Sequence, residues 1–379
     1  MAPRGTAAPG TCAPSSYWDG RAAIEGLMHY EIDFLPVGDS NGDAICLRYG
    51  DDASFWVHVV DGGFTDTAAT VIKHLRTHYG NVFINHMVLS HADNDHACGL
   101  VGILKAMDVK NLWMNRPWLY AGEIIHNFHG NWTLQGLIDH IREKHPYLVE
   151  LEDIANSRGI PIRSVFQGDK IGLHFTVLAP SRARYVRLLP DLEKTPQTYA
   201  EKKGIIPSIF EGAKSVIDAV AEHWGVETLD DDPPATSASN ETSVVQWGVF
   251  DDKRALLTAD VGPEGLAEAY VYAVNSGLYQ RPNIVQIPHH GSRRNVTPTV
   301  LNAWLGKPLA AEGVVGSAYC SVGKDADIYP RKKVKNAFIR RGFPVHATRG
   351  MTKYAYNGWP IRPGWVNSTP EPFAYSVED

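Results

Sequence analysis

A chain of 379 residues with a formal net charge of −6, 44% hydrophobic and 21% charged residues has an ordinary globular make-up, which excludes a general nucleic-acid coat while leaving room for a local basic groove. It contains no apolar run of about 18 residues, so no transmembrane helix and no membrane partner are expected. Cys12, Cys46, Cys98 and Cys320 are scattered without a CxxC pair, which suits a reducing, cytoplasmic setting better than a disulfide framework.

Residues 1–28 are small and rich in Pro and Gly, with no apolar h-region, and read as a disordered tail rather than a signal peptide. The remainder, 29–379, is expected to form one domain. Tyr30 to Pro36 alternates apolar and polar, and Ala44 to Tyr49 and Phe55 to Val60 follow as strands around the Gly42-Asp43 turn. The turn Asp61-Gly62-Gly63 needs glycines for positive φ or for close approach to a neighbouring loop. Ala68, Val71, Ile72, Leu75 and Tyr79 mark a helix face closed by Gly80.

The apolar run Val82 to Leu89 then predicts a buried strand, and Ala97 to Met107 has helical spacing. Between them lie His91, Asp93, Asp95 and His96, at a strand's carboxyl end where ligands of α/β folds collect. Asp95 could merely cap the following helix. Imidazoles and carboxylates so crowded are better explained by a divalent cation, which takes N and O donors at about 2.0–2.2 Å.

Beyond this cluster come a short strand, LWM, an aromatic-rich stretch of helices and loops, and a hairpin over Val165 to Leu178 around Gly168-Asp169. Residues 190–238 read as an insertion, with a helix carried by Ile209, Phe210, Ala213, Val216, Ile217 and Val220. Its acidic, Pro-containing end suits a surface loop or lid. Ser243 to Phe250 and Ala255 to Thr258 are strands ending at Asp260, Pro263 begins a helix, and Asn283 to Ile287 is a strand leading into His289-His290. Gly313 to Ala318 and a helix with Val334, Ala337 and Phe338 inward follow. Two βαβ-flavoured halves suggest an α/β sandwich of sheets with helices outside.

In order, SHADNDH (Ser90 to His96), Asn240-x-x-Ser243, LLTAD (Leu256 to Asp260), PHHGS (Pro288 to Ser292), SVGK (Ser321 to Lys324) and Thr348-Arg349-Gly350 accompany the Gly42-Asp43 and Asp61-Gly62-Gly63 turns. This series resembles the metallo-β-lactamase superfamily, and more narrowly the soluble C-terminal domain of the competence protein ComEC, over roughly Tyr30 to Tyr356. The resemblance implies an αββα sandwich with a metal site at one edge. It implies that His91 and Asp93 hold one ion, that Asp95, His96 and a PHHGS histidine hold the other, and that Asp260 bridges them. Superfamily enzymes that ligate through the glycine-adjacent histidine favour His290, leaving His289 as a proton donor. Asp93 replaces a usual histidine and Asn240 stands where another usually serves the first ion. Both changes add oxygen donors, so the two divalent ions are expected to be Zn²⁺ or Mn²⁺.

Two such ions would acidify a bridging water that Asp95 or Asp260 orients. Ser292, Arg293, Arg294 and Lys324 are expected near a phosphoryl substrate, with Lys324 stabilising developing charge. The expected activity is that of a phosphodiesterase or nuclease, with nucleic acid or another phosphodiester as substrate. Arg182, Arg184 and Arg187 around Tyr185, and the basic run Arg331 to Lys335, would supply a backbone-tracking groove. The alternatives are a small-substrate hydrolase (cyclic nucleotide, lactone or other ester) behind a lid, and a non-enzymatic metal-bound scaffold.

Overall fold

Alternating side chains give most strands of this chain two different faces, and that division organises the whole molecule. A computed structural model describes residues 28–80, 83–192 and 219–378. In strand β1 (His29–Phe34), Tyr30, Ile32 and Phe34 face one apolar cluster while Glu31 and Asp33, equally buried, point the other way. Hairpin pairing joins β1 to β2 (Ile45–Gly50) and β2 to β3 (Phe55–Val60); β3 then pairs in parallel with β4 (His86–Val88), β4 with β5 (Leu112–Trp113), and β5 with β6 (Ile162–Arg163).

The second sheet repeats this plan. Strands β7 (Lys170–Ile171), β8 (Phe175–Ala179), β10 (Val245–Phe250) and β11 (Lys253–Leu257) are antiparallel neighbours. From β11 the sheet continues in parallel through β12 (Ile284–Gln286), β13 (Ser317–Cys320) and β14 (Val345–Ala347). Strand β15 (Lys353–Asn357) crosses back to pair with β1, making two seven-stranded sheets. A small ribbon pairs β9 (Ala219–Ala221) with β16 (Ser376–Glu378).

Three apolar clusters define four layers. Between the sheets, Phe34 stacks on Tyr319 at 4.8 Å and Tyr30 on Phe250 at 4.9 Å. On one outer side, Val57, Val59 and Met87 pack beneath the helices Thr67–His74, Asn94–Ala106, Leu134–Lys144 and Pro146–Ser157. On the other, Val245, Trp247 and Val285 pack beneath Pro263–Asn275, Pro298–Leu305 and Lys332–Arg340. The architecture is an αββα sandwich, and no helix among the described residues is long and apolar enough to cross a membrane.

Several sequence expectations shift. The strand predicted over Val82 to Leu89 is only His86–Val88, extended by an isolated bridge from Ile84 to Val109. The hairpin turn falls at Gly172 to His174 rather than at Gly168-Asp169, where the Asp169 carboxylate instead accepts the Phe166 N–H at 2.8 Å. The strand predicted from Gly313 starts at Ser317. Of the 1–28 tail and the 190–238 insertion, residues 1–27 and 193–218, with most of the expected helix, lie outside the described residues, and Val220, assigned to that helix, lies instead in strand β9 paired with Val377. Trp113, Trp118, Tyr120 and Phe128 are core residues.

Candidate metal centre

Chemistry-bearing side chains gather where five strands end. Asp61 follows β3, Ser90 and His91 follow β4, Asp260 follows β11, His289 and His290 follow β12, and Ser321 follows β13. The helix Asn94–Ala106 begins earlier than its spacing suggests, so Asp95 and His96 occupy its first turn and Asp93 is the capping position. Asp93 makes no side-chain capping bond; its carboxylate takes the Ser239 hydroxyl at 2.6 Å and faces His91 Nε2 at 3.5 Å. The helix is held this close by two glycines back to back. A Cβ on Gly99 would lie 1.8 Å from the Gly62 carbonyl oxygen, and one on Gly62 would lie 2.3 Å from the Leu100 nitrogen.

Of the non-glycine residues with positive φ among the described residues, Asp61 (57°), Ala259 (46°), His289 (47°) and His290 (56°) flank the site. Such left-handed backbone costs roughly 1–2 kcal/mol per residue, and strain of this kind concentrates at functional sites. The pair of left-handed residues lets adjacent imidazoles converge: His289 Nε2 and His290 Nε2 lie 3.6 and 3.8 Å from the same Asp260 oxygen. His96 Nε2 lies 3.5 Å from the other Asp260 oxygen, and Asp95 lies 3.8 Å from His96 Nε2 and 3.7 Å from His290 Nε2.

These separations are too long for good hydrogen bonds. They match the edge of a coordination shell, since ligands about 2.1 Å from a tetrahedral ion stand roughly 3.4 Å apart. The fit to a cation rests on buried atoms with no partner: His91 Nε2, His96 Nε2, His290 Nε2 and Asp260 Oδ1 are all orphaned. Orphaned buried polar atoms are costly unless an ion or water satisfies them. His91 with His96 and Asp260, Asp95 with His96 and His290, and Asp260 with His289 and His290 are each spaced to share an ion.

Electrostatics point the same way. Burial would raise the Asp260 carboxyl, but His289, His96 and His290 hold it well below the usual carboxylate range. Burial would lower the His290 imidazole, yet Asp260 and Asp95 outweigh it and push the group up to about 9. Asp43, buried behind His96 with Oδ1 orphaned, is raised by desolvation against the pull of His96 and His290. A pocket that must protonate its histidines to balance its carboxylates is one that a dication suits.

The remaining candidates divide. Asn240 is buried and its amide reaches His289 Nδ1 at 3.0 Å, so it supports that ring. Ser292 is buried, its hydroxyl accepting the Arg294 N–H at 3.3 Å, and Arg293 and Arg294 are half-buried beside it. Lys324 is exposed, its backbone N–H tied to the Gly38 carbonyl at 2.9 Å, and its ammonium makes no ion pair among the described residues. Sequence reasoning passed over the roles of Asp61, Ser90, Ser239, Gln286 and Asn295. Gln286 donates to Asp43 at 2.9 Å and Asn295 to the Asp260 carbonyl at 2.8 Å. The DGG turn and the serine that opens SHADNDH were the visible signals among them.

Part of the expected basic groove is engaged within the protein, while Arg187 and Lys332 of the same stretches are exposed. Arg182 pairs with Glu123, and buried Arg184 with Glu241 and Glu264. Lys333 and Lys335 are buried near Asp230 and Glu371, and Arg331 lies over the Tyr329 ring. Buried Arg184, Lys333 and Lys335 are thus engaged inside the fold, whereas the Arg182–Glu123 pair lies at the surface.

No protein-family model and no curated protein sequence matches the chain. Solved structures do align with it. The metallo-beta-lactamase fold protein YhfI from Bacillus subtilis aligns at 10% identity and TM-score 0.36, over 86% of this chain and 100% of that one. The CmlA beta-hydroxylase aligns at 10% identity and TM-score 0.39, over 86% and 53%. AidC, a dizinc quorum-quenching lactonase, aligns at 10% identity and TM-score 0.27, over 57% and 56%. Scores of this size do not establish the architecture, which rests on the strand order and layers above. Nor do a lactonase and a hydroxylase select one reaction, since a fold does not fix its chemistry.

Proposed function

We propose that the chain is a metal-dependent hydrolase of the metallo-β-lactamase superfamily, close in motif order to the ComEC soluble domain, and that it cleaves a phosphodiester. One observation carries this reading: the orphaned Nε2 atoms of His91, His96 and His290 gather round the Asp260 carboxylate, His96 Nε2 3.5 Å from Oδ1 and His290 Nε2 3.8 Å from Oδ2. His91 and Asp93 would hold one ion, Asp95, His96 and His290 the other, and Asp260 both. Divalent ions there would polarise the scissile phosphoryl group and acidify a water at neutral pH. Zn²⁺ and Mn²⁺ both suit the mixed donors, with the oxygen-rich half favouring Mn²⁺.

The chain's own groups would complete the reaction. Asp95, partly open to solvent, would orient the attacking water. His289, more open than His290, would carry the proton to the leaving oxygen. Its Nδ1 is held at 3.0 Å by both the Asn240 amide nitrogen and Asn295 Oδ1, which leaves Nε2 facing Asp260 and solvent. Arg293, Arg294 and Lys324 would steady the phosphoryl oxygens.

A second reading, a small ester, lactone or cyclic nucleotide as substrate, is favoured by the ion pairing of both basic stretches. The test is hydrolysis by metal-stripped protein refilled with Mn²⁺, Zn²⁺ or Mg²⁺, offered bis(4-nitrophenyl) phosphate, single- and double-stranded DNA and a lactone, with Asp260→Asn as control. Metal-dependent diester cleavage lost in the variant is expected. Lactone turnover with diesters untouched would replace the first reading by the second, and metal-independent turnover would contradict both.

A further inference from the structure

Ser90 bears one hydroxyl proton and touches two side chains that want it. Its Oγ lies 2.6 Å from Asp61 Oδ2 and 3.0 Å from His91 Nδ1. Asp61 Oδ2 is also 2.8 Å from His96 Nδ1, and Asp61 Oδ1 accepts the Ser90 backbone N–H at 2.8 Å. A carboxylate can only accept, so the Ser90 proton goes to Asp61. The Ser90 oxygen is then left to accept from His91 Nδ1–H, and His96 Nδ1–H donates to Asp61 directly. Both rings are thereby fixed with the proton on Nδ1 and a bare lone pair on Nε2, the two atoms found orphaned in the site.

We propose that Asp61, acting directly on His96 and through the Ser90 hydroxyl on His91, is the positioning residue for both halves of the metal centre. This rests on the reading of the site as a metal centre. His91 stands with Asp93 on one side and His96 with Asp95 on the other, so one buried carboxylate outside both groups sets the tautomer and aim of a ligand in each. The backbone reinforces the placement: Asp61 N–H donates to the Val88 carbonyl at 2.9 Å and Gly62 N–H to the His96 carbonyl at 2.8 Å. Outer-shell partners of ligating histidines commonly govern metal affinity by roughly 10–100-fold.

The experiment uses the full chain labelled with ¹⁵N-histidine. Ring-nitrogen correlation spectra of the metal-free protein, taken at a pH high enough to leave both imidazoles neutral, read the tautomers, and Mn²⁺ titration reads affinity. The wild type is expected to show His91 and His96 as Nδ1–H tautomers. Ser90→Ala keeps the backbone bond to Asp61; it should release the His91 tautomer and weaken one Mn²⁺ by roughly 10–100-fold while sparing the other. Asp61→Asn, compatible with the left-handed backbone, should disturb both rings and both ions, and Ser90→Thr should restore wild-type behaviour.

Unchanged His91 tautomer and affinities in Ser90→Ala would overturn the relay, as would Asp61→Asn lowering melting temperature alone. If the wild type takes up no divalent ion, the metal reading fails, and the metal-free spectra still decide whether the relay exists.

Discussion

His290 and His289 are neighbours in sequence with different surroundings. His290 is buried, donates Nδ1–H to the Ser321 carbonyl at 2.8 Å, and points Nε2 at Asp95 and Asp260. The His289 side chain keeps 27% of its exposure. His290→Ala is therefore expected to reduce bound metal more than His289→Ala, which should cost turnover with most metal retained. Metal analysis after dialysis checks this, and the reverse order would exchange the two roles. At this scale the sequence is informative where ligand types cluster at strand ends, as in His91 to His96. It is uninformative for Ser90, Ser239 and Asn295, whose value comes from partners 29, 146 and 35 residues away along the chain.

Strand β1 shows what local pattern hides. Its alternation marks Glu31 and Asp33 as the polar face, yet both are fully buried. Arg362 reaches them from the C-terminal segment, donating to Asp33 at 2.8 Å and to Glu31 at 2.6 Å, with Arg48, His74 and Tyr79 completing the cluster. Removing one partner of a buried ion pair leaves the other uncompensated. Arg362→Ala should therefore destabilise the fold by about 3–5 kcal/mol in urea unfolding; a loss below about 1 kcal/mol, the usual ceiling for exposed pairs, would show that the cluster is solvated.

On β3 and β4, His58 and His86 are register partners. Burial holds His58 well below its ordinary value of 6.5, and burial with Arg163 and Lys110 pushes His86 down to about 4. The folded state thus binds fewer protons than the unfolded chain below pH 6.5. Their contribution is complete above that pH and drains as pH falls toward 4. Melting temperature should fall across this window, and less steeply in His58→Phe. Equal slopes would exclude His58 as a source.

At the scale of the molecule, two halves each run from hairpin strands into parallel strands and close face to face, so the strand ends of both meet along one edge. The βαβ flavour of each half was legible from periodicity. The sheet order was not, because β15 pairs with β1 across more than 300 residues. The basic stretches illustrate the limit for function: composition displays cations, but only tertiary contacts reveal that Arg184, Lys333 and Lys335 are already engaged. DNA binding should accordingly lose less than about tenfold in affinity between roughly 50 and 200 mM salt. A thousandfold loss would indicate a phosphate-tracking surface made of other cations.

The most direct measurement is an anomalous difference map from crystals grown with Mn²⁺. Two peaks about 3.5–4 Å apart, one against His91 and Asp93, the other against Asp95, His96 and His290, with Asp260 touching both, are predicted. An empty map at this edge, or density confined to surface carboxylates, would contradict the account.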